Sequence, residues 1–448
     1  MAANPRNLSR RRLLQLGGSL GAVLASSALA ACGGSSNSSS GGGGGSSATL
    51  RFMFWGSDDR VKRFQQACAL FTKKNPNIKV MPEFGAIDAI RTKTTVAMAS
   101  KNLPDVMWVL GDLLPQLASE GHIMDLTPHL GQAGGIATDG FTDAVLEPGK
   151  QNGKQYAITH GIQSVGVFAR NSVLDEVGLP VKQYPDAYSW EEFSSYCAKI
   201  HQAKGEKFFG TDDPNYAGAP NFFRAYARQN GQQMWTESGD LGFTRDLLTT
   251  WLEYWKQLRD SKAAVPTALA LEQNPYFEGA PMIRGLSAYH LRNSNQMLEL
   301  QKLSKDPLVL MPVPGNGGAG NANIALDPNL LGIAANTKNP EAALKLADFM
   351  LNDEDRAKIV GTTIGGPPTE RIREVITPTV SAPETQFLKY IGFEASAKAK
   401  PVPQSLPTAG AFSSDMTKAV ENLAYGKSTV AQTVDLVFGD LRNKLLAK

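Results

Sequence analysis

The sequence has few residues of the kinds that cross-link small folds or bind metals. Its 448 residues include three cysteines and five histidines. Three cysteines are too few for the disulfide framework of a small secreted domain. The histidines show no H-E-x-x-H or other close spacing typical of a metal site; they are residues 122, 129, 160, 201 and 290. We therefore predict neither a metal centre nor a cofactor.

The sequence also lacks a large charge imbalance. Its formal net charge is +3, but four arginines and no acidic residue precede Cys32. Removing those four positive charges from +3 leaves a net charge of −1 for the rest of the chain. Proteins that bind nucleic acid through phosphate contacts need a basic surface, so the composition argues against nucleic acid as a partner.

The first residues have the pattern of an export and attachment signal. A basic segment, Ser9-Arg10-Arg11-Arg12, leads into an apolar run that ends Leu29-Ala30-Ala31-Cys32. The run is short and rich in glycine and serine, which favours a secretory signal over a spanning helix. The consecutive arginines are typical of twin-arginine export. The final four residues resemble the lipobox of bacterial lipoproteins, so we predict an export signal over residues 1–31 and a diacylated Cys32; in the alternative, the signal is simply cleaved and Cys32 is incidental.

Residues 33–47 are all glycine, serine or asparagine. Such a segment cannot bury a core and behaves as a flexible tether. Residues 32–47 would therefore hold the remainder of the chain, by its lipid, at the outer face of the cell membrane. That remainder has about 400 residues, which is too many for one hydrophobic core, so we expect two lobes.

The two remaining cysteines lie on predicted helices. Cys68 follows Phe64 by four residues and precedes Phe71 by three, and Cys197 has similar spacing behind Phe193. This spacing places both thiols on apolar helix faces. Buried free thiols are the simpler interpretation, while a disulfide between them would need a proximity that the sequence does not reveal.

Strands and helices alternate after the tether. We predict strands at residues 49–55, 78–84 and 106–110, with helices ending near Lys74 and spanning 88–100 between them. Short connections in this order indicate a parallel sheet covered on both faces. An extended double strand is predicted at 153–170. Further helices are predicted at about 171–177, 189–203, 220–230, 243–261, 292–303, 340–350, 353–360 and 411–424.

Several enzyme motifs occur in unsuitable places. Gly17 to Gly21 matches G-x-S-x-G but lies inside the signal. Gly315 to Gly320 matches G-x-G-x-x-G, but the residues that follow it are not helical, whereas dinucleotide binding needs a helix N-terminus there. Neither motif therefore supports an enzymatic function.

Short motifs spread along the chain resemble one family. In order along the chain they are Phe71–Val80, Leu103–Val106, Ala118–Leu126, Gly153–Ala157, Trp190–Phe193, Phe277–Met282, Asn339–Phe349 and Ala424–Thr433. Their sequences and order resemble the sugar-binding extracellular solute-binding proteins of ABC importers, relatives of maltose-binding protein. The resemblance covers nearly the whole chain after the tether.

The resemblance implies an α/β fold of the periplasmic-binding-protein type II class. Two lobes, each with a parallel-dominated sheet flanked by helices, would be joined by a multi-segment hinge around a ligand cleft. Crossings are expected near His160–Ser164, Asp327–Leu331 and Thr377–Glu384. Lobe 1 would then comprise residues 48–160 plus 331–380, and lobe 2 residues 164–326 plus 385–448.

The cleft should lie at the carboxyl ends of the parallel strands. The expected ligand-binding residues lie there, at the crossings, or on lobe 2 loops that the resemblance indicates; they are Trp55, Asp58, Glu83, Asp112, Gln163, Tyr216, Asn221, Arg284, Tyr289 and Gly366. Asp112 and Gln163 are placed by the resemblance. Trp55 is alternatively a core residue and Asp58 alternatively a helix cap. The family often has an aromatic residue just after the second strand, whereas this chain has Gly85-Ala86-Ile87-Asp88, which leaves the identity of the ligand open.

These features predict a lipid-anchored, monomeric receptor that captures a sugar or oligosaccharide and presents it to an ABC permease without chemistry. One alternative is a secreted glycoside hydrolase, for which Asp58, Glu83 and Asp112 would supply the two carboxylates. The other is a receptor of the same fold for a non-sugar ligand. An anionic ligand would need a cluster of basic residues, for which Arg60, Arg284 and Arg292 are the candidates.

Overall fold

The computed structural model describes residues 47–186, 188–216, 219–272, 277–315, 327–396, 406 and 408–447. The predicted export signal, Cys32 and nearly all of the tether lie outside these residues. Within the described ranges, no helix is long and apolar enough to cross a membrane.

The strands have lengths of two to eight residues. In chain order they are β1 (Ala48–Trp55), β2 (Ile78–Gly85), β3 (Val106–Val109), β4 (Lys150–Gln151), β5 (Lys154–Gln155), β6 (Ala157–Gln163), β7 (Val165–Arg170), β8 (Phe209–Thr211), β9 (Ser287–Asn293), β10 (Leu308–Met311) and β11 (Asp327–Ile333).

The helices lie between the strands and after the last of them. In chain order they are α1 (Asp58–Lys74), α2 (Ile87–Ala99), α3 (Leu114–Ser119), α4 (Asp143–Leu146), α5 (Asn171–Val177), α6 (Trp190–Lys204), α7 (Ala219–Gln229), α8 (Arg245–Asp260), α9 (Thr267–Leu271), α10 (Met297–Leu303), α11 (Pro340–Asn352), α12 (Glu354–Val360), α13 (Glu370–Ile376), α14 (Ala382–Ser396), α15 (Ala409–Ala424), α16 (Val430–Leu436) and α17 (Arg442–Leu446).

Most of these strands form two mixed sheets. The first sheet has the order β2-β1-β3-β11-β6, in which β1 runs parallel to β2 and β3 while β11 runs antiparallel to β3 and β6. The second has the order β10-β7-β9-β8, and of its described pairings only β8 with β9 is parallel. The α/β class is confirmed, but the sheets are not parallel-dominated. The chain reaches β7 and β11 from the other sheet rather than through a βαβ unit, so these strands run against their neighbours.

The first sheet is buried on both faces because its side chains alternate between two apolar layers. Phe52 and Phe54 of β1 face α1, where Phe64 packs against both rings at 6.1 and 5.0 Å. Met53, between them, faces the opposite layer with Ile90 of α2. Burying both faces of the parallel part of a sheet explains its near-continuous apolar sequence.

The second sheet packs against an aromatic layer built by α6 and α8. Trp251 and Trp255 are both about 99% buried, and Trp190 meets the Trp251 ring edge-on at 5.2 Å. Ser189 caps α6 through a reciprocal pair of bonds with Glu192, which fixes where this helix begins. Both α8 tryptophans are therefore core residues.

Both described cysteines are buried and unpaired. Burial raises the pKa of the Cys68 thiol to about 12, and it also raises the pKa of Cys197. Thiols with raised pKa values are poor nucleophiles. The interpretation as buried free thiols is confirmed.

The predicted element types agree with the structure through β3, with bounds that differ by one or two residues. The helix predicted at 292–303 is wrong at its start. Residues 287–293 form strand β9, and the helix begins only at Met297. Strands β8, β10 and β11, helices α13 and α14 and the pair α16 and α17 were not predicted.

Candidate functional site

The parallel strands of the first sheet end along one edge. β1 ends at Trp55, β2 ends at Gly85, and Asp112 follows the end of β3 by three residues. Since β1 is parallel to both of its neighbours, these carboxyl ends meet, as expected for a ligand cleft in an α/β sheet.

Trp55 and Phe84 supply aromatic surface at this edge. Trp55 is half-buried, and its ring meets the Trp108 ring edge-on with the centroids 4.8 Å apart. Phe84 is 47% exposed while its ring lies 5.9 Å from that of Phe54. A partly exposed aromatic ring on a fixed support suits the C–H face of a sugar.

Asp112, in the loop after β3, pairs with Arg91 of α2. Arg91 Nη1 donates to Oδ2 at 2.5 Å and Nη2 to Oδ1 at 3.3 Å. The two side chains keep 41% and 30% of their surface exposed. A Cβ atom on Gly410 would lie 3.2 Å from Asp112 Oδ2, so the first turn of α15 closely approaches this carboxylate. Together, Asp112 and Arg91 offer hydroxyl groups both acceptors and donors.

Glu83 is committed to structural ion pairs. Its carboxylate lies 2.5 Å from Arg51 Nε on β1 and 2.6 Å from Lys93 Nζ on α2. Burial raises the pKa of Glu83, but the hydrogen bonds from Arg51 and Lys93 outweigh this and hold the pKa below its usual value. A carboxylate held ionised cannot serve as the general acid of a glycoside hydrolase.

Asp58 lies in the exposed first turn of α1, where Ser57 occupies the cap position without a side-chain bond. Its negative charge at the helix N-terminus is favourable on its own. Gln163 is the half-buried last residue of β6 and pairs in register with Asp327 of β11. Gly366 exchanges two backbone hydrogen bonds of 2.8 Å with Ile162 of β6.

Gly366 is needed for close packing rather than for contact with solvent. It is buried, and a Cβ atom there would approach Ile391 Cγ2 to 2.5 Å. Gly365 before it has φ +102° and would clash with the Ile162 carbonyl if substituted. Only glycine combines this backbone angle with such an approach.

The predicted residues of the second sheet are less accessible. Tyr289 has no exposed surface, and its ring packs on Phe193 at 5.1 Å, so it is a core residue and not part of an open site. Arg284 is paired with Glu272 at the surface. Asn221 is half-buried on α7, and the side chain of Tyr216 lies outside the described residues.

Next to the edge of the second sheet lies a buried polar network that spacing did not predict. Asp212, directly after β8, accepts a bond from His290 Nδ1 at 2.8 Å, and Arg292 Nη2 lies 3.7 Å from the same carboxylate. Burial raises the pKa of Asp212, but His290 and Arg292 outweigh this and lower it. Arg292 is therefore neutralised within the fold.

A buried acid lies where the chain passes between the sheets, and no sequence pattern predicts it. Glu394 of α14 accepts hydrogen bonds from the Tyr184 hydroxyl and, at 3.4 Å, from the hydroxyl of Ser164, the residue between β6 and β7. The Tyr390 hydroxyl donates to the Val165 carbonyl at 2.6 Å. Burial raises the pKa of Glu394 to about 8 despite the two hydrogen bonds that lower it.

We expect this acid to make stability fall as the pH rises. Because the folded pKa of about 8 exceeds the ordinary value of 4.5, the stabilisation is complete below pH 4.5 and is lost as the pH rises through 8. Glu394→Gln should remove that slope and raise the free energy of unfolding at pH 9 by roughly several kcal/mol, since each pKa unit is about 1.4 kcal/mol. Urea titrations of both proteins from pH 5 to pH 9 measure it.

Glu384→Gln is the matched control. Burial raises the pKa of Glu384, but bonds from Ser381 and Thr362 outweigh this and lower it, so Glu384 cannot make stability fall as the pH rises. Its replacement should leave the slope between pH 5 and pH 9 intact. Equal slopes in wild-type and Glu394→Gln protein would contradict the assignment to Glu394.

No cluster of three or more histidine, cysteine, aspartate or glutamate side chains suited to a metal occurs in the described part of the chain. The edge with Trp55, Asp112 and Arg91 offers an aromatic ring together with hydrogen-bond acceptors and donors.

A protein family and several solved structures match most of this chain. A family model described as "Bacterial extracellular solute-binding protein" matches residues 66–386. An extracellular solute-binding protein family 1 structure from Alicyclobacillus acidocaldarius is 26% identical, with TM-score 0.73, and covers 90% of this chain and 99% of its own.

Two further structures carry bound sugars in their descriptions. The ABC substrate-binding protein Lmo0181 from Listeria monocytogenes, in complex with cycloalternan, is 20% identical with TM-score 0.73 and covers 90% of this chain and 100% of its own. The GacH receptor of Streptomyces glaucescens, described unliganded and with acarbose, is 17% identical with TM-score 0.69. The match covers 89% of this chain and 98% of the GacH chain. Likeness at these identities indicates the shared fold.

Proposed function

Because the chain belongs to the bacterial extracellular solute-binding protein family, we propose that it captures a neutral oligosaccharide outside the cell and delivers it to the membrane subunits of an ABC importer. Members of this family are transport receptors and perform no catalysis. The observation that carries the proposal is the edge of the first sheet, where half-buried Trp55 ends β1 and the Asp112–Arg91 pair follows the neighbouring parallel strand β3. Stacking and paired hydroxyl recognition are what a sugar requires.

The proposed ligand class also draws on the relatives. Cycloalternan and acarbose are named with the Listeria and Streptomyces proteins, and both structures have the fold of this chain. A non-sugar anion is less well supported: Arg284 pairs with Glu272, and Arg292 is buried against Asp212. Arg60 donates to two backbone carbonyls. No shared basic pocket results among these described arginines.

We further propose that the two sheets belong to two lobes that close on the ligand. β6 and β7, on either side of Ser164, lie in different sheets, and so do β10 and β11. These two changes of sheet support crossings near 160–164 and 327–331. Lobe 1 would comprise residues 48–160 plus 331–380, and lobe 2 residues 164–326 plus 385–448. Gln163 and Gly366 would lie at the hinge, and Gly410 would bring lobe 2 against Asp112.

The anchor is part of the same proposal. Residues 1–31 would direct export through the twin-arginine route, Cys32 would carry the lipid, and residues 33–47 would act as a leash that spans roughly 20 Å. The receptor would then work as a monomer at the outer face of the cell membrane, next to its permease.

A thermal-shift panel tests the ligand class. The purified protein is melted with neutral oligosaccharides, galacturonides, amino acids and phosphate, because a ligand that binds only the native state raises Tm. We expect a neutral oligosaccharide to give the largest saturable rise, and chromatography to recover it intact. A rise with only a charged non-sugar solute, or cleavage of the sugar, would contradict the proposal.

A further inference from the structure

Six of the buried polar atoms that lack a hydrogen-bond partner belong to side chains in the core around the first sheet. Trp108 Nε1, both ring nitrogens of His160, Arg60 Nε, and Arg356 Nε and Nη2 have no hydrogen-bond partner among the described residues. Trp108 and His160 are each 1% exposed and Arg356 is 3% exposed. Folded proteins leave few buried polar atoms unpaired, so each such atom needs a partner that the polypeptide does not supply.

These four side chains come from four different elements; Trp108 contacts His160 and Arg60, and Arg356 lies against the Phe64 ring that packs on Trp108. The Trp108 ring of β3 lies 4.8 Å from the His160 ring of β6 and 5.7 Å from Arg60 Cζ of α1. Arg356 Cζ of α12 lies 5.6 Å from the Phe64 ring, which in turn lies 5.3 Å from Trp108. Burial lowers the pKa of His160, and the positive charges of Arg356 and Arg60 lower it further.

The positive charge of this cluster is poorly compensated. Burial lowers the pKa of Arg356 to about 10 and also lowers that of Arg60, and the opposing carboxylates, Asp353 and Glu299, do not outweigh it. The Asp353 carboxylate already accepts a bond of 2.7 Å from Lys74 Nζ. An uncompensated buried cation is unfavourable unless a counter-charge lies nearby.

We infer that the cluster of Arg60, Trp108, His160 and Arg356 binds a small monovalent anion, for which chloride is the probe. Water can accept the unpaired N–H bonds but leaves the two positive charges in place, whereas an anion accepts the bonds and offsets the charge. Trp108 also supports the ring of Trp55, so the bound anion would stiffen the aromatic edge of the site.

Melting in chloride against gluconate at equal ionic strength tests this inference. Gluconate is too large for a fully buried cluster, and equal ionic strength removes general screening. We expect chloride to raise Tm saturably, by about 3 °C at concentrations far above its Kd. Equal Tm values in the two salts would overturn the inference and would indicate that water, not an anion, accepts hydrogen bonds from the cluster.

Two variants assign the effect to the cluster. Arg356→Met removes one buried charge at similar length, and Trp108→Phe removes the indole N–H but keeps a ring in the core. Both should lose most of the chloride-dependent rise. Trp255→Phe is the control, because Trp255 Nε1 is also buried and unpaired but lies in the core of the second sheet; it should keep the rise.

Diffraction from crystals soaked in bromide gives a readout that needs no variant. An anomalous peak within hydrogen-bond distance of Trp108 Nε1 and Arg356 is expected. A chloride effect that persists in Arg356→Met, or bromide found only at the surface, would overturn the site.

Discussion

Replacing Cys32 with alanine should move the protein from the detergent phase to the aqueous phase of a Triton X-114 partition and abolish its labelling by a palmitate analogue. The physical reason is that two acyl chains hold a protein stably at a bilayer, at about 0.8 kcal/mol per buried CH₂. The described chain offers no spanning helix as a substitute. We expect the change in partitioning to be nearly complete.

Cys68→Ala is the control for this experiment. Cys68 is buried in α1 and has a raised pKa, so its replacement should alter neither labelling nor partitioning. If Cys32→Ala protein keeps the label or stays in the detergent phase, Cys32 is not the anchor, and the lipobox interpretation fails.

Replacing Asp112 with alanine should weaken ligand binding by about ten- to a hundredfold. A hydrogen bond from a hydroxyl to a carboxylate is worth roughly 1.5–3 kcal/mol, which corresponds to that range in Kd. The unliganded Tm should hardly change, because the Asp112–Arg91 pair is 30–41% exposed and such ion pairs contribute about 0–1 kcal/mol.

The same titration on Arg91→Met separates two roles of the pair. If Arg91 also binds the ligand, Arg91→Met should lose at least as much ligand affinity as Asp112→Ala. If Arg91 only orients Asp112, the loss of affinity should be smaller than for Asp112→Ala. Asp260→Ala, which breaks the exposed Lys256–Asp260 pair on α8, is the control and should leave Kd unchanged. Unchanged affinity in Asp112→Ala, or a large loss of unliganded stability, would mean that Asp112 is structural.

The fold was predictable where local pattern and burial agree. The alternation of β1 and the three- and four-residue spacing of α1 match the two layers that cover the first sheet, so their bounds are nearly correct. β9 was missed, and its last two residues were assigned to the helix predicted at 292–303. His290 Nδ1 finds its partner in Asp212, 78 residues away in the chain, and no local signal reveals such a partner.

The sequence predicted which residues of the candidate site lie at one edge of the first sheet, but not which side chains pair with them. The carboxyl ends of β1 and β3 bring Trp55 and Asp112 to one edge, as the strand order implies. The chain places Arg91 against Asp112 through a contact between α2 and the loop after β3, which spacing does not encode. Tyr289 was assigned to the ligand from its neighbourhood, yet the pleat of β9 turns its side chain into the core.

Family membership was carried by motifs that are each weak. Their order along the chain is informative because it follows the order of the elements: Asn339–Phe349 spans the start and most of α11, and Trp190–Phe193 opens α6 behind its cap. The family match over residues 66–386 confirms that interpretation. The ligand is not encoded in this order, because it depends on the side chains at the edge of the sheet.

Calorimetric titration of the purified protein with the oligosaccharide that raises its Tm most is the most direct test of the proposed function. We predict saturable binding of one sugar per protein molecule, no heat from continued turnover, and recovery of the sugar intact after saturation. Binding heat that is absent for every oligosaccharide in the panel, or heat that continues as the sugar is cleaved, would contradict the account of this chain as a non-catalytic oligosaccharide receptor.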